Sequence, residues 1–159
     1  MLLITFHIGK ERYAIQANSI VEIIPMVNLN KLPLTENYVA GVFDYRGNPT
    51  PVIDLCKLYT DSPCKEMMST RIMMIEFKMD NGEQHILGLI AEKTTESINM
   101  DLNDFETTGI NIDRAPFLRG ITNDEYGLVQ LVDTNLILPK DVLGKLFLTA
   151  EESLEAISG

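Results

Sequence analysis

The chain has few side chains suited to acid–base or metal chemistry among its 159 residues. Its only histidines are His7 and His85, and its only cysteines are Cys56 and Cys64. Both histidines fall in predicted strands, where a half-exposed surface position is the ordinary one. Cys56, Cys64 and His85 make an incomplete ligand set, because a structural zinc ion takes four ligands. No metal site is therefore expected.

The sequence also lacks the common catalytic and nucleotide-binding motifs. G-x-G-x-x-G, G-x-x-x-x-G-K-[ST], G-x-S-x-G and H-E-x-x-H are all absent. Asp54 and Asp133 each follow an apolar run, where an aspartate commonly ends a strand by accepting hydrogen bonds from backbone N–H groups. A phosphoryl acceptor at Asp54 would require alternating strands and full helices, which the pattern does not contain. We expect neither catalysis nor a bound cofactor.

Charge and hydropathy narrow the range of partners. A net charge of −10 repels phosphate groups, which disfavours nucleic acid and anionic membranes as partners. No segment approaches the roughly 18 consecutive apolar residues that span a bilayer, and the N-terminus alternates like a strand rather than a signal peptide. We expect a cytoplasmic protein without membrane insertion. Free thiols are the default there, with a disulfide as the rarer alternative.

Period-2 alternation indicates a mainly-β chain. Phe6–Ile15 is typical of a hairpin, Arg71–Phe77 of a buried strand and Gly127–Asp133 of a late strand. Asn81-Gly82 predicts a hairpin turn before the strand His85–Ala91.

Helical signals are short and local. The spacing of Ser19 and Glu22 predicts one helical turn before the apolar run that follows. Pro139 is suited to start a short helix. The capping pattern at Thr149 predicts a separate helical tail over residues 149–159.

Two segments share one pattern of an aromatic, two residues, glycine, a β-branched residue, a turn and an apolar strand ending in aspartate. They are YVAGVFDYRGNPTPVIDL (Tyr38–Leu55) and FLRGITNDEYGLVQLVDT (Phe117–Thr134). The glycine and the aspartate are equally far apart in both, the pairs being Gly41/Asp54 and Gly120/Asp133. The repeat predicts two similar small barrels, each closing its sheet to avoid exposed edges.

The turn at Arg46-Gly47 is the best candidate for binding a partner. A guanidinium can hold a carboxylate through two parallel N–H donors. The alternative is an internal ion pair between Arg46 and Glu22, and the sequence leaves both open. Methionines are a second adaptable surface in many proteins. Met73 and Met74 are expected in the core, whereas Met67 and Met68 stay ambiguous.

The segment Tyr38–Leu55 resembles the central signature of the CheW-like domain, a family of adaptors in bacterial chemosensory arrays. FHIGKERYAIQANSIVEII, ILGLIAEK and APFLRGITNDEYGLVQLVD resemble the family's other segments in order. The family's Asn-Leu-Arg-Gly is here Asp44-Tyr45-Arg46-Gly47, and its Val-Asp is Ala91-Glu92. The run around Cys56 and Cys64 is similar to CheW-like proteins of alternative systems, such as Wsp-type surface sensing.

The resemblance implies two SH3-like five-stranded β-barrel lobes around a shared hydrophobic core, with a short C-terminal helix. A single domain would span 1–148, one lobe comprising about 1–17 and 88–148 and the other about 18–87. The chain would be a non-enzymatic adaptor between the cytoplasmic tip of a methyl-accepting chemoreceptor and the regulatory domain of a CheA-type histidine kinase. The residues implied in partner binding are Ile20, Glu22, Arg46, Gly47 and Gly88. The alternative is a small-molecule-binding β-barrel or an uncharacterised hydrolase.

Overall fold

A computed structural model describes residues 1–107 and 116–158, with side chains described as far as residue 153. In these ranges the strands are β1 Leu2–Ile8, β2 Glu11–Gln16, β3 Ile20–Pro25, β4 Val39–Tyr45, β5 Asn48–Asp54, β6 Arg71–Lys78, β7 Gln84–Asn99, β8 Leu118–Asp124 and β9 Gly127–Val132. The helices are α1 Leu55–Thr60 and α2 Lys140–Ser158, with short 3-10 turns at Ala17–Ser19, Leu102–Asp104 and Thr134–Leu136.

The long strand β7 belongs to two sheets. Its first half pairs with β6 and, in parallel, with β5, giving the strand order β3-β6-β7-β5-β4. Its second half pairs with β1, giving the order β7-β1-β2-β9-β8. We call these two five-stranded units lobe B and lobe A. The prediction of a mainly-β chain with two lobes is confirmed, and β1 lies with the C-terminal strands.

The border between the lobes lies within β7, beyond the position near Gly88 that the sequence suggested. Ala91 still pairs with β6, whereas Glu92 already pairs with His7 of β1. β7 is 16 residues long. One strand therefore extends far enough to complete both sheets.

The internal repeat is reproduced at the level of backbone contacts. Asp54 N–H donates to the Tyr38 carbonyl and Asp133 N–H to the Phe117 carbonyl, both at 2.8 Å. The strand pairing shifts at Gly41 in lobe B and at Gly120 in lobe A. At both positions the glycine packs closely against another segment of the chain. A Cβ at Gly41 would lie 2.6 Å from the Asn30 carbonyl oxygen, and one at Gly120 would lie 2.8 Å from the Phe105 Cβ.

One hydrophobic cluster runs through lobe B and the junction between the lobes, and a smaller one fills the far side of lobe A. Met73 and Met74 are fully buried in the first cluster, as predicted, whereas Met67 and Met68 are exposed. The smaller cluster consists of Leu3, Ala14, Val129 and Leu131. Burial of apolar area of this kind is the main favourable contribution to folding.

The predicted C-terminal helix is present, but it is not a separate tail that begins at Thr149. One helix of 19 residues begins at Lys140 and passes through Thr149. The Thr149 hydroxyl does not cap a new helix; it donates to the Lys145 carbonyl one turn earlier, at 2.8 Å. The helix packs on β5 of lobe B through Leu143, Leu146, Phe147 and Ala150, so it does not belong to lobe A as predicted.

Two other local predictions need correction. Ser19 ends a 3-10 turn and Glu22 lies in strand β3, because pairing of β3 with β6 overrides the capping pattern. Asn81-Gly82 does join two strands. The connection is longer than a two-residue turn, since the last strand pair is Lys78 with Gln84.

The expectation of free thiols is also wrong in this structure, where Cys56 and Cys64 form a disulfide with their Cα atoms 5.1 Å apart. Helix α1, which no sequence pattern predicted, reverses the chain direction after β5. The Asp54 carboxylate caps the helix by accepting from Lys57 N–H and also accepts from Cys64 N–H, both at 3.1 Å. The capping aspartate thus brings the second cysteine back to the first.

Replacing Gly88 by alanine tests the close packing at the centre of lobe B. A Cβ there would lie 2.9 Å from methyl groups of both Ile72 and Val52, which are fully buried. Overpacking of this kind costs about 1–3 kcal/mol, so Gly88→Ala is expected to lower the free energy of unfolding measured in urea.

Gly144→Ala is the matched control. Gly144 lies in α2, and the nearest atom to an added Cβ is 3.9 Å away, an ordinary contact. Alanine is favoured over glycine in a helix by about 1 kcal/mol, so this variant should be as stable as wild type or more so. Equal effects of the two substitutions would contradict the packing described for Gly88.

An ion pair in lobe A predicts a pH dependence of stability. Arg12 on β2 donates twice to the Asp124 carboxylate at the end of β8, both bonds being 2.8 Å long. Burial alone would raise the pKa of Asp124. Bonds from Arg12 and from the Tyr126 N–H, together with the Arg12 charge, hold this pKa below its usual value.

A carboxyl group with a lowered pKa in the folded state stabilises the protein above its unfolded pKa, and this stabilisation is lost as pH falls. Asp124→Asn should therefore cost about 1–2 kcal/mol at neutral pH, and the difference from wild type should shrink below about pH 4. Urea unfolding across this pH range measures it. Asp80→Asn, which removes the exposed pair with Lys140, should have a much smaller effect.

Candidate partner-binding surface

The hairpin that joins β4 to β5 carries the predicted Arg46 turn. Tyr45 and Asn48 pair directly, so Arg46 and Gly47 form a two-residue turn. Both have positive φ, 53° and 85°, which is the backbone of the turn type that best matches strand twist. Glycine adopts it freely, whereas for Arg46 it costs about 1 kcal/mol or more. Arg46 therefore has a strained backbone conformation at the tip of the hairpin.

Glu22 on β3 is the residue that organises this tip. Its Oε1 accepts a hydrogen bond from the Tyr45 hydroxyl at 2.6 Å and one from Arg46 Nη2 at 3.0 Å. The Arg46 guanidinium lies 5.1 Å from the centre of the Tyr45 ring. Burial, and then the bond to Glu22, raise the pKa of the Tyr45 hydroxyl, so this phenol stays protonated and donates.

The hydrogen bond between Glu22 and Tyr45 connects the two edge strands of lobe B. β3 and β4 are the outermost strands in the order β3-β6-β7-β5-β4, and Glu22 lies on one while Tyr45 ends the other. The carboxylate therefore helps to close the five-stranded sheet. We call Glu22, Tyr45, Arg46, Gly47 and Asn48 the hairpin face.

Of the two roles left open for Arg46, the internal ion pair with Glu22 is present. The Arg46 side chain nevertheless keeps 64% of its area exposed. Exposed pairs of this kind contribute about 0–1 kcal/mol to stability. The pair orients the guanidinium without removing it from solvent, so a role in partner binding is compatible with it.

The other predicted residues are placed differently. Ile20 begins β3 and is half-buried against the main core, while its neighbour Val21 is exposed where the pairing with β6 shifts. Gly88 is buried beneath Val52 and Ile72 and offers no surface. It can affect a partner only through the packing of lobe B. The structure brings Glu22, Arg46 and Gly47 together, and leaves Ile20 and Gly88 outside this group.

A cleft of about 220 Å³ adjoins the hairpin face. Tyr45, Asn48 and Pro49 line one side, and His85 and Phe147 the other. His85 stacks on Phe147 at 4.5 Å between ring centres and lies 3.1 Å from Glu83. Neither the role of Tyr45 nor the approach of α2 to this cleft was predicted from the sequence. The departure from the family's Asn-Leu-Arg-Gly pattern was the available signal for Tyr45.

The aspartates at the strand ends accept hydrogen bonds from backbone N–H groups. Asp54 is buried and accepts the two N–H bonds described above, and Asp133 accepts from Asn135 N–H at 3.0 Å and pairs with Arg119 at 2.8 Å. His7 on β1 is half-buried, and burial, then the charges of Lys93 and Arg12, lower its pKa. Asp54 and Asp133 therefore bind backbone N–H groups or an arginine, and His7 is favoured in its neutral form.

Neither α1 nor α2 has the length and apolar composition that would let it cross a membrane.

Comparison with known proteins agrees with this architecture. The family model of the CheW-like domain matches residues 2–142. The chemotaxis protein CheW of Helicobacter pylori is 31% identical over 139 residues, covering 87% of this chain and 81% of that protein. The chemotaxis protein CheW of Bacillus subtilis is 26% identical over 141 residues, covering 87% of each.

A solved structure has the same fold. The crystal structure of the scaffolding protein TtCheW from Thermoanaerobacter tengcongensis aligns with a TM-score of 0.74 over 87% of each chain, at 23% identity. Because the family model matches nearly the whole length and a relative is 31% identical over most of both chains, this chain belongs to the CheW-like domain family.

Proposed function

We propose that the chain is a non-enzymatic adaptor that couples the cytoplasmic tip of a methyl-accepting chemoreceptor to the regulatory domain of a CheA-type histidine kinase. The observation that carries this proposal is the family match over residues 2–142. The names of its relatives, chemotaxis proteins and a scaffolding protein, support the same role. On this proposal the chain works in the cytoplasm, at the receptor arrays.

The hairpin face is the contact surface that we propose for one of these partners. It presents a mostly exposed arginine side chain, whose guanidinium is held by Glu22 and lies beside the Tyr45 ring. Pre-ordering of this kind lowers the entropy lost when a side chain is immobilised in an interface. Arginine is also among the residues most often found at energetic centres of interfaces.

A partner for this face would bring a carboxylate or a helix C-terminus to the guanidinium, because both carry negative charge. The rest of the chain, with a net charge of −10, would repel an acidic partner surface. Arg46 would therefore select the register of the partner, while apolar contacts would supply affinity. Each contact is expected to be modest, since arrays gain strength from many linked copies.

Arg46→Ala tests the hairpin face. Binding is measured separately to a kinase regulatory domain and to a receptor fragment. The variant should weaken binding to one of them about ten-fold or more, while its free energy of unfolding should change by less than about 1 kcal/mol because the ion pair is exposed.

Arg119→Ala is the matched control, because Arg119 has similar exposure, 60%, and also forms one ion pair, with Asp133 in lobe A. It should bind both partners as wild type does. Wild-type affinity of Arg46→Ala for both partners would contradict the proposed face. Failure of the wild-type chain to bind either partner would contradict the adaptor function and favour a small-molecule-binding barrel or a hydrolase.

Glu22→Ala separates the structural from the binding role of this cluster. It leaves the Tyr45 hydroxyl, in a residue only 6% exposed, without the acceptor shown here. An orphaned buried donor costs about 1–3 kcal/mol. Glu22→Ala should therefore be clearly less stable than Arg46→Ala in urea unfolding. Equal stability of the two variants would mean that the bond from Tyr45 to Glu22 does not hold the lobe together.

A further inference from the structure

The two cysteines stand close together on different elements of lobe B. Cys56 is in helix α1 and Cys64 lies between α1 and β6, both buried. Their Cα atoms are 5.1 Å apart and the sulfurs are bonded. This separation lies inside the range of protein disulfides, so the backbone needs no movement for the bond to form.

Each sulfur also faces a hydrogen-bond acceptor. Cys64 Sγ lies 3.6 Å from the Ile90 carbonyl oxygen, and Cys56 Sγ lies 3.8 Å from Glu92 Oε1. In the disulfide these are contacts only, because neither sulfur carries a hydrogen. After reduction, each thiol has an acceptor within reach of its weak S–H donor. Each cysteine therefore has a hydrogen-bond acceptor beside its side chain that a reduced thiol can use.

The segment around Cys64 is held by bonds that do not involve sulfur. Asp54 accepts from Cys64 N–H at 3.1 Å, and Glu92 accepts from Lys65 N–H at 2.9 Å. The Thr70 hydroxyl donates to the Lys65 carbonyl. Opening of the disulfide would leave these bonds in place, so the thiols would stay close enough to be oxidised again.

The two cysteines differ in access. Cys64 lines a cleft of about 300 Å³ together with Pro63, Glu66 and Asp54, whereas Cys56 does not line it. The exposed fractions follow the same order, 8% for Cys64 and 2% for Cys56. A small reagent that enters this cleft meets Cys64 first.

We propose that Cys56 and Cys64 form a reversible thiol–disulfide site, oxidised by low-molecular-weight disulfides that enter at Cys64. This goes beyond the adaptor function and does not depend on it. The carboxylates of Asp54 and Glu66 in the cleft favour a cationic reagent, since opposite charges attract across a cleft of this size.

The reaction proceeds in two exchange steps. The Cys64 thiolate attacks one sulfur of the small disulfide, forms a mixed disulfide and releases one small thiol. The Cys56 thiolate then attacks the Cys64 sulfur, forms the Cys56–Cys64 bond and releases the second small thiol. The two protein thiols give up two protons and two electrons, which end on the two small thiols. A dithiol reverses the sequence.

The test treats fully reduced protein with cystamine, a cationic disulfide, at about pH 8, where ordinary thiols are partly ionised. Intact-mass measurement after alkylation counts free thiols and adducts. Wild type should lose both thiols, gain no adduct and recover both with dithiothreitol. Cys56→Ser should accumulate one cysteamine adduct at Cys64, because the second step is blocked. Cys64→Ser should react about ten-fold more slowly or slower still, because Cys56 does not line the cleft.

The melting temperature of the wild type should also fall by about 5 °C on reduction, with the fold retained. Circular dichroism of both variants shows whether they are folded, and Cys56→Ala replaces Cys56→Ser if the buried hydroxyl unfolds the chain. Two alkylatable thiols in cystamine-treated wild type would overturn the proposal. Equal adduct formation at Cys56 and Cys64 would overturn the order of entry.

Discussion

The pairing of strand β7 with both sheets is the interaction on which the rest of the structure depends. Its first half completes lobe B beside β5 and β6, and its second half completes lobe A beside β1. A strand shared in this way fixes the relative position of the lobes without a flexible linker. Gly88 is placed where three strands of lobe B come close, and only a residue without a side chain fits between Val52 and Ile72.

Each lobe combines one repeat segment with a hairpin from another part of the chain. The first repeat segment, β4–β5, pairs with the hairpin that follows it, β6–β7, whereas the second segment, β8–β9, pairs with the N-terminal hairpin β1–β2. The C-terminal helix then returns to β5 of lobe B. Contacts distant in sequence therefore connect both ends of the chain to the middle. The hairpin face lies in lobe B, where the Glu22 carboxylate joins the two outermost strands.

The sequence was most informative where local pattern and packing agree. Alternation located most strands, and the repeated glycine and aspartate predicted two related units because these positions have the same backbone role in each. The sequence was least informative where a tertiary contact determines the local structure. Ser19 and Glu22 have capping spacing, yet β6 draws this segment into a sheet. The ion pair of Glu22 with Arg46 could be proposed, but the part of Tyr45 depends on how β4 ends against β3. The approach of Cys56 and Cys64 depends on tertiary contacts, among them the bonds by which Asp54 caps helix α1 and holds the returning chain.

An adaptor of the proposed kind joins two other proteins at once. Mass photometry of a kinase regulatory domain and a receptor fragment, mixed with and without the chain, tests it most directly. The proposed function predicts a complex containing all three proteins that forms only when the chain is present. Competition between the two partners for the chain, or two-protein complexes alone at saturating concentrations, would contradict it.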